Sequence, residues 1–203
     1  MGERSLMYSS LEDMLKKKGS VNKGGRQESQ HKHSEPLTIN NQEGLIAYYN
    51  SLNGNERIIY RSYHTDHAYH LDYRALDNSY FGSFDETIAY IEGYQQLGPA
   101  VTVFYEHQHA ACFGFAQLVP GVFEAWCMGS KLFDKHPVAA TRTAKFVIDQ
   151  GAKFLAAHRM QVTVRAENKV ANNWASVLQF KLEGCMKQFG HDKTDYMLYG
   201  KIY

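Results

Sequence analysis

A chain of 203 residues has room for one ordinary domain and an extension, and too little for two full domains. Its formal net charge of +1 excludes a general electrostatic pull toward nucleic acid or an acidic membrane surface. Hydrophobic residues make up 44% of it, with 14 tyrosines and 11 phenylalanines, enough for a wide, sheet-rich core; yet no apolar run approaches the roughly 18 residues of a membrane helix.

Residues 1–53 read as an N-terminal arm. Its opening residues, MGERSLMYSS, carry no apolar stretch of the signal-peptide kind. Gly2 is placed for myristoylation, but Leu6 stands where a hydroxyl residue is wanted, so a lipid anchor is not expected. Ser9 and Glu12 have capping-box spacing, and Met7, Leu11, Met14 and Leu15 follow at helical intervals. Lys16, Lys17 and Lys18 suit the end of that helix, and Gly19 stops it. From Gly19 to Glu35 only Val21 is apolar, too little to order a segment by burial. A second short helix, about Gln42 to Leu52, presents Leu45, Ile46, Tyr48 and Tyr49 and ends near Gly54. Apolar-striped helices on a polar leash dock on something. The arm's own domain and a protein partner or second copy of the chain are both open. Its basic residues lack interleaved aromatics, so contact with nucleic acid is only weakly supported.

From residue 57 the pattern turns regular. RIIYRSY reads as a strand; HAYHLDYRALDNSYF and DETIAYIEGYQQL read as helices, the second capped by Ser83 or Asp85. AVTVFYE, ACFGFAQLV and VFEAWCM alternate as an antiparallel meander, turned at HQH and at Pro120-Gly121. A long helix starts at Pro137, a residue suited to a first turn, and runs to about His158. MQVTVRA is a strand, NKVANNWASVLQF a helix, and LEGCMKQFG and TDYMLYGKIY are the last two strands. A meander joined to helical crossovers gives an α+β or mixed α/β domain over residues 54–203.

Three cysteines, Cys112, Cys127 and Cys185, without C-x-x-C spacing point to free thiols in a reducing cytoplasm. His64, His67 and His70 form an H-x-x-H-x-x-H run, but three such positions sweep too much of a helix for one tetrahedral ion, and no metal is expected. Glu124, between Phe123 and Ala125-Trp126, is the natural general base; a carboxylate so flanked has its pKa raised if buried, whereas strict alternation turns it to solvent.

Asn168, Ala171, Trp174, Ala175, Gln179, Phe180, Glu183 and Gly184 fall without a gap in the register N-x-x-[AS]-x-x-[LV]-[YL]-x-x-x-G-F-x-x-E-G. With the element order from residue 57 onward, this resembles the GNAT superfamily of acyl-CoA N-acyltransferases, and the Glu-Gly ending is similar to the branch that acetylates ribosomal-protein N-termini. The resemblance implies a central mixed sheet, acetyl-CoA as cofactor and an amine as acceptor. It places Asn168 near the cofactor, and the backbone of Cys127 and Met128 beside the thioester carbonyl. It also aligns Lys135, Val138, Ala139 and Ala140 with the family's phosphate loop [QR]-x-x-G-x-[GA], with Arg142 one turn on.

The chain departs from that pattern at several positions, among them Gln179, which stands where the family carries the glycine before its phenylalanine and changes only the turn. Val138 replaces the central glycine, and Pro137 brings no N–H. Ala175 stands where many members carry a tyrosine that protonates the leaving thiolate. The implied acetyl-CoA site is therefore degenerate, with cofactor binding weak or absent. That favours a binding or structural subunit, similar to phage-encoded GNAT-like proteins inside virions or at connectors. An active N-acetyltransferase acting on a primary amine is the alternative.

Overall fold

The computed structural model describes residues 42–72 and 83–203. The helix expected around Ser9–Lys18, the polar segment after it, and the greater part of the helix expected to end at Phe81 lie outside the described residues.

Seven strands form one sheet in the order β1-β2-β3-β4-β5-β7-β6: β1 Ile58–Ser62, β2 Ala100–Tyr105, β3 Gln108–Val119, β4 Val122–Gly129, β5 Arg159–Arg165, β6 Lys181–Met186 and β7 Tyr196–Ile202. Every neighbouring pair is antiparallel except β4 and β5, which are parallel. A parallel pair needs a long crossover, and here the linking chain contains α4, Leu132–Lys135, and α5, Pro137–Phe154. The other helices are α1 Gln42–Leu52, α2 Thr65–Tyr69, α3 Phe84–Gln95 and α6 Lys169–Val177. The mixed α+β architecture expected from the sequence is the one observed.

Alternation along the strands divides the core in two. Val101, Val103, Ala111 and Phe113 meet α1, α5 and α6, while Ala100, Cys112 and Met128 meet α2 and α3. The second short helix, which composition groups with the arm, belongs to the larger core. Leu45 and Tyr49 on α1 are fully buried there, and the Tyr49 hydroxyl donates to the Val147 carbonyl at 2.7 Å. A boundary at residue 53 would therefore cut through the core.

Local chemistry sets the helix ends. Ser83 and Glu86 close a reciprocal capping box at α3. Asn168 caps α6, its side chain accepting from the Ala171 N–H at 3.0 Å. His64 and His67 form the corresponding box on α2, which ends at Tyr69 within a segment expected to be helical from His67 onward. The histidine run is thus spent on capping and ring contacts: His70 stacks on His109, and the His67 Nδ1 lies 3.0 Å from the Thr102 hydroxyl. Among the described residues no group of His, Cys, Asp and Glu is placed to hold a metal ion, and no helix is long and apolar enough to cross a membrane.

Candidate functional site

The ladder between β4 and β5 is short. Val122, Phe123 and Glu124 pair with Arg159, Met160 and Gln161, and the pairing stops there. Beyond that point a cavity of about 430 Å³ lies between the strands, lined by Ala125–Met128 on one side and Val162–Val164 on the other. α3, the start of α5, α6, and Phe189 and Tyr196 from the β6–β7 side supply much of the remaining wall.

Glu124 stands at the fork. It is half-buried and lines the cavity, so the reading that turned it to open solvent does not hold. Thr163 on β5, two residues past the last pair, donates its hydroxyl to Glu124 Oε1 at 2.9 Å. Tyr94 on α3 donates to Oε2 at 3.4 Å and itself accepts from Tyr90 at 2.8 Å. Burial first, then the Tyr90 hydroxyl and the Glu124 carboxylate, push the Tyr94 phenol well above the usual tyrosine range, and burial pushes Tyr90 up as well. Both stay protonated and serve as donors at neutral pH. The carboxylate is held from two sides, with acceptor capacity left on each oxygen.

The sequence-derived candidates divide into two groups. Glu124, Cys127, Met128, Ala140 and Asn168 line the cavity; Lys135, Val138, Ala139 and Arg142 do not, and all four of these are exposed. Asn168 has a structural task as well, because its side-chain oxygen is the α6 cap. At the start of α5, the first N–H bonded back into the helix region is that of Ala140, to the His136 carbonyl. The Val138 and Ala139 amides precede it, as orphan donors at the positive end of the helix. Pro137 offers none.

Tyr90, Tyr94, Thr163 and Trp174 were not singled out as site residues from the sequence. The Trp174 indole donates to Thr141 at 3.1 Å, tying α6 to the first turns of α5 at the cavity wall. Helical spacing of Phe84, Tyr90 and Tyr94 marks a wide aromatic face on α3, but nothing in that spacing says that it looks onto Glu124.

No protein-family profile matches the chain, and no curated protein matches it by sequence. Solved structures do match by shape. An acetyltransferase from Salmonella typhimurium that modifies the N-terminal serine of 50S ribosomal protein L7/L12 shares 19% identity at a TM-score of 0.59, over 73% of this chain and 96% of that one. A GNAT-family acetyltransferase from Bacillus anthracis shares 16% identity at a TM-score of 0.57, over 72% of this chain and 95% of that one. The microcin C7 self-immunity acetyltransferase MccE, solved with acetyl-CoA and AMP, shares 16% identity at a TM-score of 0.58, over 73% and 94%. The seven-stranded sheet parted between β4 and β5, with its flanking helices, is the GNAT acetyltransferase fold.

Proposed function

We propose that the cleft is an acyl-transfer site, where an acyl thioester, acetyl-CoA in the first instance, meets a primary amine beside Glu124. One observation carries this reading: a cavity of about 430 Å³ opens where β4 and β5 part, with a braced carboxylate on its wall. A structural role alone needs no such cavity.

The residues fit the two ends of that cofactor unequally. Apolar walls from Ala125 to Met128 and from Val162 to Val164 suit a thioester arm. At the far end, the Val138 and Ala139 amides with Lys135 and Arg142 would hold the phosphates, short of one donor at Pro137 and crowded by the valine side chain. The cofactor is therefore held weakly. Bound there, acetyl-CoA would supply the activated acyl group: the new bond joins amine nitrogen to acyl carbon, the carbon–sulfur bond breaks, and the thiolate leaves to take a proton from solvent, to which Glu124 returns the one it has accepted. Glu124 takes the proton that the amine loses, directly or through a water. Tyr94 and Thr163 keep its oxygens oriented.

Ala175 favours a second reading. It is buried and lines the cavity, but it has no proton to give a departing thiolate. On that reading the chain is a non-catalytic binding or structural subunit. An internal or connector component of a bacteriophage virion is one such role, with the residues that precede α1 joining it to a partner or a second copy. Its place would be the host cytoplasm or the virion.

Calorimetry with acetyl-CoA on the full chain, followed by thiol release on adding an amine, separates the two. Saturable heat and thiol release, with Glu124→Gln lowering kcat/KM by about a hundredfold or more, support the transferase. No saturable heat overturns it in favour of the binding subunit.

A further inference from the structure

The acceptor half of the cleft has a distinct chemistry. Nine aromatic residues are among the described residues that line the cavity, and six of them face its acceptor half: Phe84, Tyr90 and Tyr94 from α3, Trp126 from β4, and Phe189 and Tyr196 from the β6–β7 side. Its charged lining groups are Glu124 and Asp134, both carboxylates, and no Lys, Arg or His occurs among the described residues that line it. Aromatic faces attract an ammonium and accept apolar carbon equally well. The half-buried Glu124 carboxylate attracts that ammonium further and repels a second negative charge.

We propose that the acceptor is a small primary amine carried on an aromatic or bulky apolar body, with no carboxylate or phosphate near the nitrogen. The proposal rests on the reading of the cleft as an amine-acylating site and adds the substrate class. The amine nitrogen meets Glu124, and the ring fills the space between α3 and the β6–β7 side. Amino acids with a free carboxylate are disfavoured because that group would lie close to the Glu124 carboxylate and, among the described residues that line the cavity, meet no Lys, Arg or His. Extended polyamines are disfavoured because they bring no ring or bulky apolar body to cover the aromatic walls.

The chain's two tryptophans, Trp126 and Trp174, both line the cavity, so intrinsic fluorescence reports occupancy without turnover. The full chain is titrated with phenethylamine, with phenylalanine (the same skeleton plus a carboxylate) and with spermidine. Phenethylamine is expected to quench saturably, at least about tenfold tighter than either of the others, and Glu124→Gln to weaken it by about tenfold. Equal or tighter binding of phenylalanine, preference for spermidine, or no response to phenethylamine overturns the assignment. Thermal unfolding of Glu124→Gln, expected near wild type because an amide oxygen still accepts from Thr163, shows that a loss is not misfolding. The two readings fail separately. Phenethylamine binding without thiol release from acetyl-CoA removes the transferase and leaves the selectivity. Thiol release with an acidic amine removes the selectivity and leaves the transferase.

Discussion

Glu124 is legible in the sequence because a carboxylate inside an apolar strand is conspicuous wherever the strand lies. Its partners are not, because Thr163 reaches it across 39 positions and Tyr94 across 30, and neither separation leaves a local pattern. The same limit hides Gly114. It reads as one more small residue in β3, yet it pairs directly with Trp126 on β4, and a Cβ at 114 would fall within the indole ring. Gly114→Ala is therefore expected to destabilise the domain by about 1–3 kcal/mol through overpacking, read as a lower urea midpoint. Because the ring borders the cavity, its fluorescence should change even in the folded variant. An unchanged midpoint and spectrum would mean that Trp126 is not packed on that glycine. Thr163→Val tests the brace in turn: it removes one hydroxyl while keeping the volume, and leaves one Glu124 oxygen without that donor. Expected is a fall in kcat with KM for acetyl-CoA little changed, by about tenfold, the size of one lost hydrogen bond to a charged group. Equal effects on both parameters would place Thr163 in cofactor binding instead.

Among the elements, capped and periodic segments are the ones whose extent the sequence predicts well. α3 begins at Ser83, one of the two caps the sequence offers, and α6 starts directly after the asparagine that caps it. α2 is the counter-example, since the apolar spacing after His67 promises a longer helix than the five residues observed, and its cap uses imidazoles, which no common signal encodes. That cap makes the element sensitive to pH. His67 is half-buried between Phe104 and His109, near Arg61, His64 and Asp66; burial is the main cause of its lowered pKa, and the His109, His64 and Arg61 charges add to it against an opposing Asp66. His109, against Phe104 and stacked on His70, is lowered by burial and then by His70 and Arg61. A folded pKa below the unfolded value, roughly 6.5 for histidine, means that the unfolded chain binds the proton more readily. Stability from both groups is complete above that value and is lost as pH falls through the folded pKa values. The urea midpoint should drop between about pH 7 and pH 5, ahead of the carboxylate range near 4, and the slope should flatten in His67→Gln with His109→Gln. A flat profile across that interval in the wild type would contradict the burial of these rings.

At the scale of the whole molecule, order and type of the elements lead to the fold, but two facts of assembly escape them. One is the cleft, which exists because the β4–β5 ladder stops after three pairs, and no residue in either strand spells that ending. The other is where the folded unit begins. Composition suggests a break near residue 53, because residues 1–53 are more polar than residues 54–203. α1 lies on the polar side of that break, yet Leu45 is at 0% exposure and Tyr49, also at 0%, packs on Tyr60 and Phe146. Burying a leucine and a large aromatic in this way contributes about 2–5 kcal/mol each by the cost of truncating such side chains, a large share of the roughly 5–15 kcal/mol that holds a typical domain together. Two truncations separate the alternatives. A chain beginning at residue 36 keeps α1 and is expected to unfold cooperatively, with a midpoint close to that of the full chain. A chain beginning at residue 54 leaves Tyr60, Phe146 and Phe154 without the helix that covers them, and is expected to be insoluble or to lose its cooperative transition. If the shorter chain melts like the longer one, α1 is an accessory, and the cleft stands on a core that ends at β1.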